Sequence, residues 1–312
     1  MLTHLLKKVL ILILSLWCVV TGTFFLMHSL PGDPFIGEQN MPQEILTSLY
    51  AYYGLDQPLH IQYGKYLNAL LHGNLGTSIV YQGRSVNQFI RDGFPISAQL
   101  GLQALLIAIP CGIFLGTIAA IKRNKWQDTT AMIVSTIGIS VPNFVLSSFL
   151  QFVLCMKLHL LPVARWGSFE HSILPSLALA ALPTAFIARL IRANMVDVLQ
   201  QDYIRTALAK GLPLFLVSMR HGLRNAILPT LTYLGPITTQ ILTGSFMIER
   251  IFAIPGLGQW MIYSINARDY PMIVGLTIFF SAFLMLSMFA IDLLYALIDP
   301  RIRLRKGKEA YA

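Results

Sequence analysis

Six stretches of the chain carry no charged side chain over lengths that a soluble core helix has no reason to reach. They are residues 9–30, 96–121, 129–156, 172–188, 226–248 and 271–291, running 22, 26, 28, 17, 23 and 21 residues, with His28 in the first. About 20 apolar residues in a helix cross the ~30 Å hydrocarbon core of a bilayer. A charge at mid-helix costs about 2.5–3.5 kcal/mol on insertion. The pattern therefore predicts six transmembrane helices. The 17-residue window is short for a crossing and is expected to continue toward Met195, with Arg189 and Arg192 snorkelling to the interface. Lys7 and Lys8 before the first window would also suit a signal peptide. The run is long for one, however, and no small-x-small site closes it.

The polar segments between the windows divide the chain. Residues 1–30 form an N-terminal transmembrane helix, and 31–95 a long loop that opens with the turn Pro31-Gly32-Asp33-Pro34. This loop is rich in tyrosine (Tyr50, Tyr52, Tyr53, Tyr63, Tyr66, Tyr81), and short amphipathic helices are expected over 43–53 and 59–71. A five-helix domain follows over 96–297, including a polar loop at 197–225, and a basic tail occupies 298–312. Pro110, Pro142, Pro183, Pro229 and Pro236 lie within or at the ends of windows, where proline kinks a helix. Gly112 and Gly116 make a small-xxx-small pair in the second window, expected to serve helix packing.

Composition and charge sharpen this picture. Of 312 residues, 55% are hydrophobic and 12% charged, about half the charge of a typical soluble chain. The mean hydropathy is +0.63. The net charge of +9 would suit a nucleic-acid binder, but the basic residues sit beside the windows. With both termini inside, the inner segments hold 16 Lys and Arg and the outer segments 7. That asymmetry predicts cytoplasmic termini and an extracytoplasmic 31–95 loop, and argues against nucleic acid as a partner. Cys18, Cys111 and Cys155 all fall inside windows and read as small hydrophobes.

The 197–225 loop carries the strongest local signals. Asp202 is expected as the N-cap of a helix and suits its positive start. Lys210 suits its negative end, Gly211 a left-handed stop, and Pro213 bars continuation. A helix of about nine residues is expected over 202–210, with a second opening at Pro213. So short a helix is marginal alone in water, and Ala207 and Gly211, four apart, leave one side nearly bare. It is either a docking helix for a cytoplasmic partner or an ordinary interfacial helix.

This segment resembles the coupling motif of ABC importer permeases, in particular the oligopeptide, dipeptide and nickel branch with its D-Y-x-R-T-A-x-A-K-G-L run. Asp202, Tyr203, Arg205, Thr206, Ala207, Ala209, Lys210, Gly211 and Leu212 match position for position, with Arg205 and Thr206 where the generic E-A-A-x3-G motif has Glu and Ala. The likeness extends along the chain through Gly54-Leu55-Asp56-Gln57-Pro58-Leu59, Gly76-Thr77-Ser78, Ala188-Arg189-Leu190-Ile191-Arg192, Pro255-Gly256-Leu257-Gly258, Arg268-Asp269-Tyr270-Pro271 and Asp299-Pro300-Arg301. Pro213 with Leu214-Phe215-Leu216 departs from the pattern, because relatives are often charged there, and Asn74 replaces a common aspartate.

The resemblance implies an all-α, type I ABC importer permease fold in the cytoplasmic (inner) membrane of a bacterium. It implies a second homologous permease, two cytoplasmic ATPases that hold the ATP, and an extracytoplasmic substrate-binding protein as partners. It also implies that the 202–210 helix docks on an ATPase. Peptide is the expected cargo, with nickel or a metal chelate as the alternative within the branch. The chain has no G-x-x-x-x-G-K-[ST], H-E-x-x-H or G-x-S-x-G motif and no i,i+4 histidine pair, so no ATP site, metal, cofactor or catalytic centre is expected on it. An ion-driven secondary transporter is the competing class, and it would be expected to carry acids inside its spans.

Overall fold

A computed structural model describes residues 2–29 and 43–298. The Pro31-Gly32-Asp33-Pro34 turn, the Asp299-Pro300-Arg301 match and the basic tail beyond 298 lie outside the described residues. The described chain is helical: α1 (Leu2–Ser29), α2 (Gln43–Tyr53), α3 (Leu59–Leu71), α4 (Val86–Ile121), α5 (Trp126–Ser140), α6 (Asn143–Leu150), α7 (Phe169–Leu199), α8 (Asp202–Ala209), α9 (Leu214–Val217), α10 (Arg224–Leu242), α11 (Phe246–Ile251), α12 (Leu257–Asn266) and α13 (Tyr270–Ile298). Two π-helical stretches, Gln151–Lys157 and Ser218–Leu223, continue α6 and join α9 to α10. The two helices expected in the first loop are present as α2 and α3.

Among the described residues, four helices are long and apolar enough to cross a membrane: Leu6–Ser29 of α1, α4, α7 and Tyr270–Ile291 of α13. The 129–156 window, expected as one straight span, is instead a pair, Trp126–Ser140 and Asn143–Lys157, bent by 105°, which makes a fifth if it counts as one broken span. The break falls where Pro142 forces the preceding residue out of the helical region, with Val141 at φ −85° and ψ 121°. The 226–248 window is also interrupted. α10 stops at Leu242, Gly244 takes φ +98°, and α11 begins at Phe246.

α4 starts ahead of its apolar window, inside the stretch assigned to the first loop. Ser85 and Gln88 form a reciprocal capping box: the Gln88 N–H reaches Ser85 Oγ at 3.3 Å, and the Ser85 N–H reaches Gln88 Oε1 at 3.1 Å. That S-x-x-Q signal fixes the start of α4 independently of hydropathy.

The chain divides into two compact units, Met1–Phe94 with Gln259–Met285, and Pro95–Gly258 with Leu286–Ala312. In the first, Val20 and Met27 of α1 pack with Ile273, Val274 and Ile278 of α13, and with Tyr66, Leu67 and Leu70 of α3. Asp269, 1% exposed, caps α13 through the Met272 N–H at 3.4 Å. The same carboxylate accepts the Ser78 hydroxyl and the Ile79 N–H, the latter at 3.2 Å, so it ties the loop before α4 to the start of α13. Nearby, the Tyr53 hydroxyl donates to Ser78 O at 3.0 Å, and burial, with Tyr52 and Asp269 close by, pushes its phenol pKa up.

In the second unit, α4 lies against α7 at its two glycines. A Cβ on Gly112 would sit 2.7 Å from Ile187 Cβ, and one on Gly116 would sit 2.8 Å from Ile191 Cβ. The pair expected to serve packing is therefore at a helix crossing too close for any side chain. Arg192 does not simply snorkel: its Nε and Nη2 hold Asp128 of α5 at 2.5 and 2.7 Å, and Asp128 also accepts the Asn124 N–H at 3.0 Å. Arg189 donates to Thr136 Oγ1 at 2.6 Å. A buried carboxylate, Glu249 (0% exposed), accepts the Ser97 hydroxyl at 2.8 Å. Added Cβ atoms at Gly244, Gly256 or Gly258 would collide with it.

Candidate functional site

The polar loop between α7 and α10 forms a helical hairpin. α7 ends at Leu199, and Gln201 (φ −70°, ψ 149°) occupies the N-cap position of α8. Asp202, expected as the cap, is the first helical residue, and α8 has no side-chain cap bond. Asp202 still suits the positive end of the helix. The stop is as expected. Gly211 takes φ +84°, its N–H bonds Leu208 O at 2.9 Å, and the Leu212 N–H reaches back to Ala207 O at 3.4 Å, a Schellman arrangement. Pro213 then precedes α9. The second helix does not stop short of the 226–248 window: α9, the π stretch and α10 follow one another without a break from Leu214 to Leu242.

α8 sits on very little. Ile204 is its one fully buried residue, at 1% exposure, and Ala207 is half-buried. Asp202, Tyr203, Arg205, Thr206, Ala209, Lys210 and Gly211 are exposed. The Arg205–Asp202 pair spans 3.6 Å between side chains 73% and 97% exposed, where an ion pair adds little. Among the described residues, one side-chain hydrogen bond, Asn225 Nδ2 to Tyr203 Oη at 2.8 Å, holds α8 to the base of α10. The base itself is firm, since Asn194 Nδ2 donates to Ala226 O at 3.1 Å and Gly222 lies against Met195.

The outward surface of this hairpin is apolar. Tyr203, Leu208, Leu212, Leu214, Phe215 and Leu216 are between 37% and 70% exposed, with Phe215 highest. Apolar side chains gathered at a polar loop mark a surface that is covered in use. Ile204, the Tyr203–Asn225 tether and the Asp128–Arg192 pair were missed from the sequence. Ile204 lies inside the matched run at its variable position, and Asp128 sits one residue before a window that was drawn to begin where charge ends. Among the described residues no three His, Cys, Asp or Glu side chains gather closely enough to hold a metal.

Residues 112–304 match the family model described as binding-protein-dependent transport system inner membrane component, and residues 1–100 match the model of its N-terminal part. The chain belongs to this family of inner-membrane permease components. It is 46% identical over 303 residues to the dipeptide transport system permease protein DppB of Bacillus subtilis (strain 168), covering 97% of this chain and 98% of that one. It is 41% identical over 305 residues to the oligopeptide transport system permease protein OppB of Escherichia coli (strain K12), covering 97% and 100%. Among solved structures, an amino acid ABC transporter with histidines superposes with a TM-score of 0.50 at 19% identity, covering 69% of this chain and 94% of that one, which speaks to fold alone. In this chain the sequence motif of α8 and its Gly211 stop adjoins the exposed apolar surface that runs from Tyr203 to Leu216.

Proposed function

We propose that the chain is the transmembrane permease subunit of an ATP-driven, binding-protein-dependent importer of dipeptides or oligopeptides, in the cytoplasmic membrane of a bacterium. The near full-length likeness to permeases named for dipeptide and oligopeptide transport carries this reading. In it the chain crosses the membrane six times, by α1, α4, the α5–α6 pair, α7, α10 and α13, with both termini in the cytoplasm and α2 and α3 outside. The excess of Lys and Arg beside the inner ends supports that orientation. A second permease completes the pathway, an extracytoplasmic binding protein delivers the peptide, and two ATPases beneath bind and hydrolyse ATP. α8 is the element that an ATPase grips. It supports the role by being short, exposed and attached through one buried residue and one tether. A partner with different affinity for two states of a bundle is what biases it between them.

Co-reconstitution of the chain with its second permease, both ATPases and the binding protein is expected to give ATP-dependent accumulation of labelled di- and tripeptides. Uptake by the chain alone under a proton gradient overturns the reading. Transport that nickel competes away and peptides do not overturns the choice of cargo.

A further inference from the structure

The 226–248 window has no charge, yet the helix that fills most of it is not built to face lipid. α10 has 19 residues, enough length for a crossing, but it is not among the helices apolar enough for one. The other helices of the proposed bundle each show large apolar side chains at their surface: Leu14 on α1, Leu106 on α4, Ile133 on α5, Phe149 on α6, Leu177 on α7 and Leu286 on α13. α10 shows none among its described side chains. What it exposes, beyond Arg224 at its start, is Asn225, Pro229, Pro236 and Gln240. These lie 4, 7 and 4 residues apart and so form one stripe. The side chains at 228, 231 and 232 lie outside the described ones. At about 100° per residue, positions 228 and 231 are turned about 90° and 150° from the middle of the stripe, and position 232 is a threonine.

The chemistry of the stripe narrows what it meets. An amide exposed to hydrocarbon has nothing to replace its water. Each proline also withholds the N–H that the carbonyl four residues earlier would receive, so Pro229 and Pro236 leave the carbonyls of Asn225 and Thr232 short of a donor on that side. Backbone of this kind is tolerated in a membrane where protein covers it or where it lines a water-filled cavity. The protein contacts of α10 are made elsewhere on its surface. A Cβ on Gly235 would sit 3.1 Å from Ile291 Cγ2 of α13, and Ile237 and Ile241 share a core with Leu100 and Ala104 of α4. The buried threonines are satisfied within the helix, Thr230 Oγ1 on Ala226 O at 3.5 Å and Thr239 Oγ1 on Gly235 O at 3.2 Å. A face meant for another span would offer small residues for close approach, whereas the stripe offers two proline rings and a long amide. It is a row of neutral donors and acceptors. The group that all peptides share is a neutral amide, which such a row can meet whatever the side chains.

We infer that the stripe lines the passage taken by the peptide, with the Gln240 amide hydrogen-bonding the backbone of the cargo as it passes. The inference rests on the transport reading and adds the surface that the cargo touches. In the assembled transporter, with the native cysteines replaced, Gln240→Cys should react with a charged thiosulfonate about tenfold or more faster than Leu14→Cys on the exposed apolar face of α1. Tenfold is the loss of thiolate for each pKa unit that apolar surroundings add to a thiol. The reaction should stop peptide accumulation, and dithiothreitol should restore it, which damage to the assembly would not allow. Gln240→Glu, which puts an anion on the stripe, should shift the ratio of dilysine to diaspartate uptake roughly tenfold toward dilysine, the scale of a unit charge about 12 Å away at an effective dielectric of about 20. A residue that only packs would not move that ratio. Equal reactivity at 240 and 14, accumulation that survives complete modification, or an unchanged charge preference overturns the assignment. Accumulation by the unmodified complex tests the transport reading by itself, and thiol access at 240 is measured with no cargo present.

Discussion

At the scale of single residues, the molecule depends on contacts with no slack. An alanine methyl at Gly116 would lie 2.5 Å from the Ala188 carbonyl oxygen and 2.8 Å from Ile191 Cβ, backbone and branched atoms that cannot swing aside. Gly116→Ala is therefore expected to cost about 1–3 kcal/mol as overpacking, seen as a lower melting temperature of the detergent-solubilised protein. Gly22→Ala, with nothing within 4 Å, should be neutral in the same assay. Coincident melting curves for the wild type and Gly116→Ala would show that α4 and α7 can part at no cost. The Asp128–Arg192 pair makes a second test. Asp128 is 5% exposed at its side chain and Arg192 29%, so removing one partner strands the other in a poorly solvated place. Asp128→Ala should cost about 1.5–3 kcal/mol. Asp128→Ala with Arg192→Met should recover part of that, since two apolar replacements leave no orphaned charge. A double variant as unstable as the sum of the singles would show that the pair is not coupled.

At the scale of elements, α8 is the part whose stability and function separate. Ile204 alone is fully buried, so Ile204→Ala is expected to loosen the docking of α8 by about 2–5 kcal/mol. The rest of the fold should remain, which faster amide exchange confined to 202–209 would show. ATP hydrolysis by the assembled complex should then persist while peptide uptake falls. Gly211→Glu reaches the same end differently. An added Cβ meets nothing within 4 Å, but φ +84° disfavours any side chain, so the cap is strained without a clash.

The same element shows what a sequence makes legible. Helix α8 and its stop could be read from Asp202, Gly211 and Pro213, because end signals are local, and α2 and α3 emerged with their bounds for the same reason. The start of α4 was equally local, in Ser85 and Gln88, but hydropathy drew attention ten residues downstream. Glu249 and Asp269 were not legible. Each stands just outside a charge-free window, where a charge looks like the solvated end of a span. Only tertiary packing reveals that both are buried, one against three glycines and the other across the start of α13.

At the scale of the whole molecule, topology reduces to a count of crossings between α3 and α8. If α4, the α5–α6 pair and α7 each cross, the number is odd, and α3 and α8 lie on opposite sides. If the pair dips in and returns, the number is even, and they share a side. The 105° bend allows either path. Length and charge favour crossing: α5 alone rises about 22 Å over its 15 residues, and Lys122, Arg123 and Lys125 before it are basic in the same way as Arg205, Lys210, Arg220 and Arg224 around α8. The proposed orientation puts both clusters inside, in keeping with the positive-inside rule, and in it α7 can bring the chain back to that face only if the α5–α6 pair has first left it. Single cysteines placed at His72 after α3 and at Lys210 after α8, in a variant lacking the three native cysteines, are expected to react with a membrane-impermeant maleimide from opposite faces, His72 in intact spheroplasts and Lys210 only after permeabilisation. Labelling of both from the outside would make the bent pair re-entrant and remove α8 from the compartment where ATP is available.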